Sequence, residues 1–155
     1  MSTPPGAATS WDPGAPGVLA LPSGLLVRGR GRRRRPPAAE PQWGLVLAAR
    51  EPRADGPWPV RWVRWPDFRL PHDSADALEA LREAQARCVT QRVEVSCGGG
   101  VGRTGTALAA LVLLDAPGLE PDAAVEWVRR GYHPRAVETR GQRRWLGELR
   151  STGRP

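Results

Sequence analysis

Apolar positions along this chain fall into short runs separated by proline, glycine and charge, and each run predicts an element. Val18 to Val27 alternates weakly around Pro22, Ser23 and Gly24, which predicts a hairpin of two short strands. Trp43 to Ala49 is continuously apolar and flanked by prolines, as a core strand would be. Val60 to Trp65 sets Val60, Trp62 and Arg64 on one face and Arg61, Val63 and Trp65 on the other. It reads as a strand whose buried face the periodicity leaves open. Asp73 to Thr90 spaces Ala77, Leu78, Leu81, Ala84, Ala86 and Cys88 among charges, which predicts an amphipathic helix capped by Asp73 or Ser74. Arg92 to Ser96 predicts a further strand. Thr106 to Leu114, rich in alanine and leucine, predicts a helix. Glu120 to Arg130 predicts another, with Ala123, Ala124, Trp127 and Val128 inward and Gly131 ending it. Val137 to Arg150 predicts a closing helix. Together these predict an α/β fold: a central, mostly parallel sheet flanked by helices on both faces.

Met1 to Gly17 consists largely of Pro, Gly, Ala, Ser and Thr and has no apolar run. It predicts a flexible N-terminal tail over 1–17, with Trp11 able to tack it onto a single domain over 18–152. The tail has neither the basic start nor the long apolar stretch of a signal peptide. No segment reaches ~18 consecutive apolar residues, so no membrane span is expected. At 155 residues the chain suits one core. All 23 Lys+Arg positions are arginine, which with abundant Ala, Gly and Pro reads as coding bias and overstates functional pressure, but the formal net charge of +7 still favours anionic partners. Arg28 to Arg35 reads RGRGRRRR. A solvated loop is preferred there over a nucleic-acid or acidic-lipid patch, and no stable nucleic-acid partner is expected. A third reading has one of these arginines lining the approach to an anion pocket. Two cysteines, Cys88 and Cys97, make no disulfide framework.

The chemistry concentrates in Val93 to Thr106, VEVSCGGGVGRTGT. A strand runs into Cys97, then into Gly98, Gly99, Gly100, Val101 and Gly102, then into Arg103, Thr104 and a helix. Glycines let the backbone turn tightly with its N–H groups inward, and a helix N-terminus adds unpaired donors and a positive dipole end. This is a cradle for a dianion such as phosphate. Inward N–H groups, the dipole and a guanidinium all favour a thiolate at its floor. Arg103 could grip two phosphate oxygens with its planar fork. Gly100 to Gly105 also satisfies G-x-G-x-x-G, but the second strand that a dinucleotide fold needs is replaced by helical pattern. A nucleotide-triphosphatase loop needs a lysine, and the chain has none.

Cys97, five residues, Arg103 and Thr104 resemble the signature loop of the cysteine-dependent protein tyrosine phosphatases and dual-specificity phosphatases. Upstream, Trp65-Pro66-Asp67-Phe68 resembles the acid loop of the tyrosine phosphatases. The resemblance covers Val60 to Leu149. It implies phosphomonoester hydrolysis through a phosphocysteine intermediate, on phosphotyrosine in proteins, with no metal or cofactor. Cys97 would be the nucleophile and Asp67 the general acid and then base. Arg103 and residues Gly98 to Gly102 would bind the phosphate, Thr104 would ease departure of the thiolate, and Trp65 would serve as a packed hinge. Asp73 and Glu138 are the next candidates for the acid. Glu138 to Gln142 resembles the segment that places a glutamine over the pocket, so Glu138 and Gln142 are auxiliary candidates; the bland reading of both is an exposed helix face. Ser96 stands where the signature has histidine, which implies different tuning of the thiolate. Tyr132 and Phe68 are the chain's single tyrosine and phenylalanine, so an aromatic wall for phosphotyrosine would be expected from tryptophan. Cys88 reads as a packing residue, with a redox partner for Cys97 as the other reading. A free thiolate implies a reducing, cytoplasmic setting. A dual-specificity or phosphoinositide phosphatase and a catalytically weak phosphoprotein-binding module are the alternative readings of the same motif. A sulfur-transfer enzyme would leave Asp67 without a role.

Overall fold

The structure is a computed structural model and describes residues 10–34 and 39–152. β1 (Val18–Ala20) and β2 (Leu26–Gly31) form the expected antiparallel hairpin, closed over Gly24 in the left-handed region at φ 96°. β3 (Trp43–Ala48) and β4 (Val60–Arg64) follow, then α1 (Ser74–Cys88), β5 (Val93–Cys97), α2 (Gly102–Asp115), α3 (Pro121–Gly131) and α4 (Arg140–Thr152). The five strands lie in the order β1-β2-β5-β3-β4. Every pairing but β1 with β2 is parallel. β5 is therefore central, with Gly31 of β2 opposite Cys97 and Val46 of β3 opposite Ser96. In such a sheet ligands bind beyond the carboxyl ends of the strands, and Cys97 is the last residue of β5.

Strand alternation sorts the two faces. Val27, Trp43, Leu45, Leu47, Val93, Val95 and Cys97 share one core with the buried sides of all four helices. The other face carries Arg28, Arg30, Glu94 and Ser96, all buried. The α/β class and the mostly parallel sheet stand as read; the helices gather on the apolar face. Loop residues and Trp11 cover the charged one. Asp55 pairs with Arg30 there, and the Trp11 ring stacks 4.0 Å from the Arg28 guanidinium while its indole N–H donates to Val93. Residues 1–9 of the expected tail, and Arg35, lie outside the described residues.

Four expectations need correction. The inner face of α3 is Ala124, Val125 and Val128, with Ala123 and Trp127 exposed. The run from Arg28 is a solvated loop only at its exposed end, Arg33 and Arg34: Arg28 and Arg30 belong to β2 and share Glu94, at 2.6 and 2.9 Å, across the β2–β5 pairing. A charge-rich sequence looked solvated because its counter-charge lies 64–66 residues away. α2 begins at Gly102, four residues earlier than expected at Thr106, because its first turn is made of residues that read as loop. α4 begins at Arg140 and not Val137, since Val137 sits at φ 64° and cannot continue a helix. Among the described residues no helix is long and apolar enough to cross a membrane.

Candidate active site

Cys97 leaves β5 with only 2% of its surface exposed. Its Sγ accepts the Gly100 N–H at 3.1 Å and the Thr104 hydroxyl at 3.0 Å, an arrangement suited to a negatively charged sulfur. Gly100 is at φ 75°, and a Cβ there would overlap the backbone of Gly31. Arg32 and Arg33 donate backbone N–H groups to the carbonyls of Cys97 and Gly98, which fixes the loop's start to the end of β2. Val101 precedes α2 without a side-chain cap, so the first-turn N–H groups of the helix keep their anion-binding capacity.

Arg103 is buried and held by its far edge. Its Nη1 donates to the Trp65 carbonyl at 3.1 Å and to the Leu47 carbonyl at 3.4 Å. Nε has no hydrogen-bond partner. It lies 3.5 Å from Asp67 Oδ1, close enough for ion pairing but without hydrogen-bond geometry. Nη2 faces Gly98, where a Cβ would lie 3.3 Å from it. The Nε–Nη2 edge of the fork thus makes no hydrogen bond to protein, and that edge is the one a two-oxygen ligand would use.

Asp67 stands on a loop built for it. Trp65 is fully buried, its ring meets Trp145 edge-on at 5.3 Å, and its indole N–H donates to the Arg69 carbonyl at 2.7 Å. Phe68 takes φ 60°, with its N–H donating to Asp67 Oδ1 at 3.0 Å. Asp67 remains 42% exposed at its side chain. Cys97, Asp67, Phe68, Gly99, Val101, Gly102, Glu138 and Arg33 together line a cleft of about 180 Å³. Wider clefts elsewhere on the surface contain neither Cys97 nor Asp67.

The remaining candidates divide. Glu138 is exposed at the rim of this cleft. Gln142 is fully buried, so an exposed helix face is excluded for it. Its carbonyl oxygen accepts the N–H groups of Glu138 and Thr139 while the Thr139 hydroxyl accepts the Gln142 N–H. That is a capping box for α4. Ser96 belongs to the opposite face of β5 from Cys97 and registers with Arg30. Cys88 ends α1 beside the start of β5, and β5 carries the chain ~13 Å further before Cys97, well beyond disulfide reach. Burial pushes its thiol up to about 12, so it is a packing residue. Asp73 caps α1 by accepting the Asp76 N–H and does not line the cleft.

Sequence reasoning missed three contributors. Phe68, 60% exposed on the cleft wall, supplies the aromatic surface that was expected from tryptophan. Arg33 points its guanidinium at Gly98, where a Cβ would lie 3.2 Å from Nη2; the run had raised such an arginine without saying which. Tyr132 reaches the loop from behind, donating to the Gly100 carbonyl at 2.6 Å, and nothing in the sequence brings it there.

The family described as protein-tyrosine phosphatase matches residues 49–136. Among solved structures, the chain is similar to Tk-PTP in its active form, with 30% identity and a TM-score of 0.60 over 70% of this chain and 78% of that one. It shares its fold with kinase associated phosphatase carrying serine for its catalytic-site cysteine, at 18% identity and a TM-score of 0.61, over 72% of this chain and 69% of that one. No curated protein matches.

Proposed function

The chain belongs to the protein-tyrosine phosphatase family, and from that membership we propose that it hydrolyses phosphotyrosine in proteins. The observation that carries the reading is the Nε–Nη2 edge of Arg103, which makes no hydrogen bond to protein and lies 3.5 Å from Asp67, together with the hydrogen-bonded Cys97 sulfur. The phosphoryl group would sit on the loop amides with two oxygens on that edge. The Cys97 thiolate attacks phosphorus, the bond from phosphorus to the phenolic oxygen breaks, and Asp67 gives that oxygen its proton. Water then attacks the phosphocysteine, Asp67 takes its proton, and the bond from phosphorus to sulfur breaks. The Thr104 hydroxyl, already 3.0 Å from Sγ, stabilises the departing thiolate.

Tyrosine preference rests on depth and on one side chain. Cys97 lies at the floor of the cleft while Phe68 and Asp67 stand at its wall, 60% and 42% exposed. An aryl phosphate spans that distance and lays its ring against Phe68; a serine phosphate is shorter and offers no ring. The test is a rate profile over phosphotyrosyl and phosphoseryl peptides and soluble phosphoinositides. A clear excess of kcat/KM for phosphotyrosine is expected. Comparable rates on phosphoserine would make the enzyme dual-specificity, and a lipid preference would displace the protein substrate. Cys97→Ser should abolish turnover on all three, and retained activity would remove the nucleophile.

A further inference from the structure

Resting on the phosphatase reading, we propose that Tyr132 is a positioning residue that locks the phosphate loop in its anion-accepting orientation. The loop's conformation is not self-supporting. Gly98 to Gly102 contains four glycines, and around Gly99 there is open space for a side chain. A peptide between such residues can rotate as a unit at little steric cost. The peptide that joins Gly100 to Val101 matters most, because Val101 lines the cleft with Cys97.

Tyr132 fixes that peptide. Its hydroxyl donates to the Gly100 carbonyl at 2.6 Å. A trans peptide points its N–H opposite to its C=O, so the bond turns the Val101 N–H away from Tyr132 and onto the anion side. Released, the peptide could rotate and present the Gly100 carbonyl to the phosphate, a repulsive partner in place of a donor. The same residue's N–H donates to Cys97 Sγ at 3.1 Å, so one tyrosine steadies both the nucleophile's donor and the neighbouring phosphate donor.

The glycines of β2 make room for this arrangement. Arg28, Gly29, Arg30 and Gly31 alternate across the strand. The arginines take Glu94 on one face. On the other, a Cβ at Gly29 would lie 2.5–2.9 Å from the Tyr132 ring and hydroxyl, and one at Gly31 would lie 2.7 Å from the Gly99 carbonyl oxygen. The two glycines therefore leave a trough in which the tyrosine lies and on which the phosphate loop rests. Burial pushes the phenol well above its ordinary value, which keeps it a neutral donor across the working pH range.

The test separates binding from turnover. Inorganic phosphate protects Cys97 from alkylation, read at the peptide level by mass spectrometry, in wild type, Tyr132→Phe and Gly29→Ala. Tyr132→Phe keeps the ring and removes only the donor. Gly29→Ala keeps the hydroxyl and displaces the ring. Both should need about tenfold more phosphate for equal protection, the scale of one lost hydrogen bond. Thermal unfolding should show both variants folded, and KM should rise along with the fall in kcat/KM. Unchanged phosphate protection in folded Tyr132→Phe would overturn the positioning role while leaving the phosphatase reading intact. Absence of protection in wild type would overturn both.

Discussion

A general acid is useful only if it stands beside the leaving group without neutralising the residue that binds the phosphate. On the proposed mechanism Asp67 is that acid and Arg103 that residue. Arg103 Nε is 3.5 Å from Asp67 Oδ1 without a hydrogen bond, while Nη1 is held by the carbonyls of Trp65 and Leu47. Asp67→Ala should therefore leave substrate binding largely intact, since Cys97, Arg103 and the loop amides are untouched. It should lower kcat by roughly 10²–10⁴, the range for a positioned acid. The loss should be greatest for aryl phosphates with poor leaving groups, and the limb of the pH profile at higher pH should flatten. Profiles of kcat/KM for both proteins, taken with phenols of graded acidity, decide it. Identical limbs and identical leaving-group sensitivity would reduce Asp67 to a turn residue and direct attention to Glu138, the other carboxylate on the cleft.

One strand pairing supports the site from beneath. Glu94 of β5 lies between Arg28 and Arg30 of β2, and Asp55 bridges Arg30 to Arg32. Glu94→Gln would leave two buried guanidinium groups facing a neutral amide, with an expected loss of about 3–5 kcal/mol in chemical denaturation; a loss below about 1 kcal/mol would show that the charges find water instead. Asp55 adds a pH signature. The hydrogen bond from Arg32, opposed by burial and joined by that from Arg30, holds its carboxyl below the ordinary value. The stability this supplies is complete above the carboxyl's unfolded value and disappears as pH falls through the lower folded one. The stability gap between wild type and Asp55→Asn should accordingly narrow through that acidic window. A gap independent of pH would mean the pair acts through packing alone. The same pairing shows what sequence could convey. β3, β5 and the hairpin were readable because their apolar runs are local signals. The partners of Arg28 and Arg30 were not, because strand order decides which charges meet. The start of α2 was hidden by glycines that read as loop, and the late start of α4 by a capping box whose glutamine resembled a site residue.

Taken as a whole, the molecule combines a net charge of +7 with carboxylate partners for many of its arginines. Arg28, Arg30, Arg32, Arg61, Arg87, Arg143 and Arg150 each meet an acid within 3.1 Å. Arg33 meets none among the described residues, yet its guanidinium is the one that stands with Arg103 over Gly98. The cysteine, arginine and acid were legible because they lie in two short motifs. Arg33 was not, since one arginine in a run of arginines carries no mark of direction. Its placement puts one positive charge without an acid partner on the cleft where a phosphate dianion would enter, with Glu138 as the opposing charge on the same cleft. Such a field acts on approach and falls off over a screening length of ~8 Å at physiological salt. For a dianionic substrate, kcat/KM should thus decline steadily as salt is raised. Arg33→Ala should lower kcat/KM about two- to tenfold at low salt, mainly through KM, and should flatten the salt dependence. Replacing Glu138 by Gln should shift kcat/KM the opposite way. The measurement is kcat/KM for one phosphotyrosyl peptide across a salt series in all three proteins. Parallel salt curves for wild type and Arg33→Ala would mean that Arg33 lies near the cleft without steering anything into it, and that the charge guiding the substrate is spread over the whole surface.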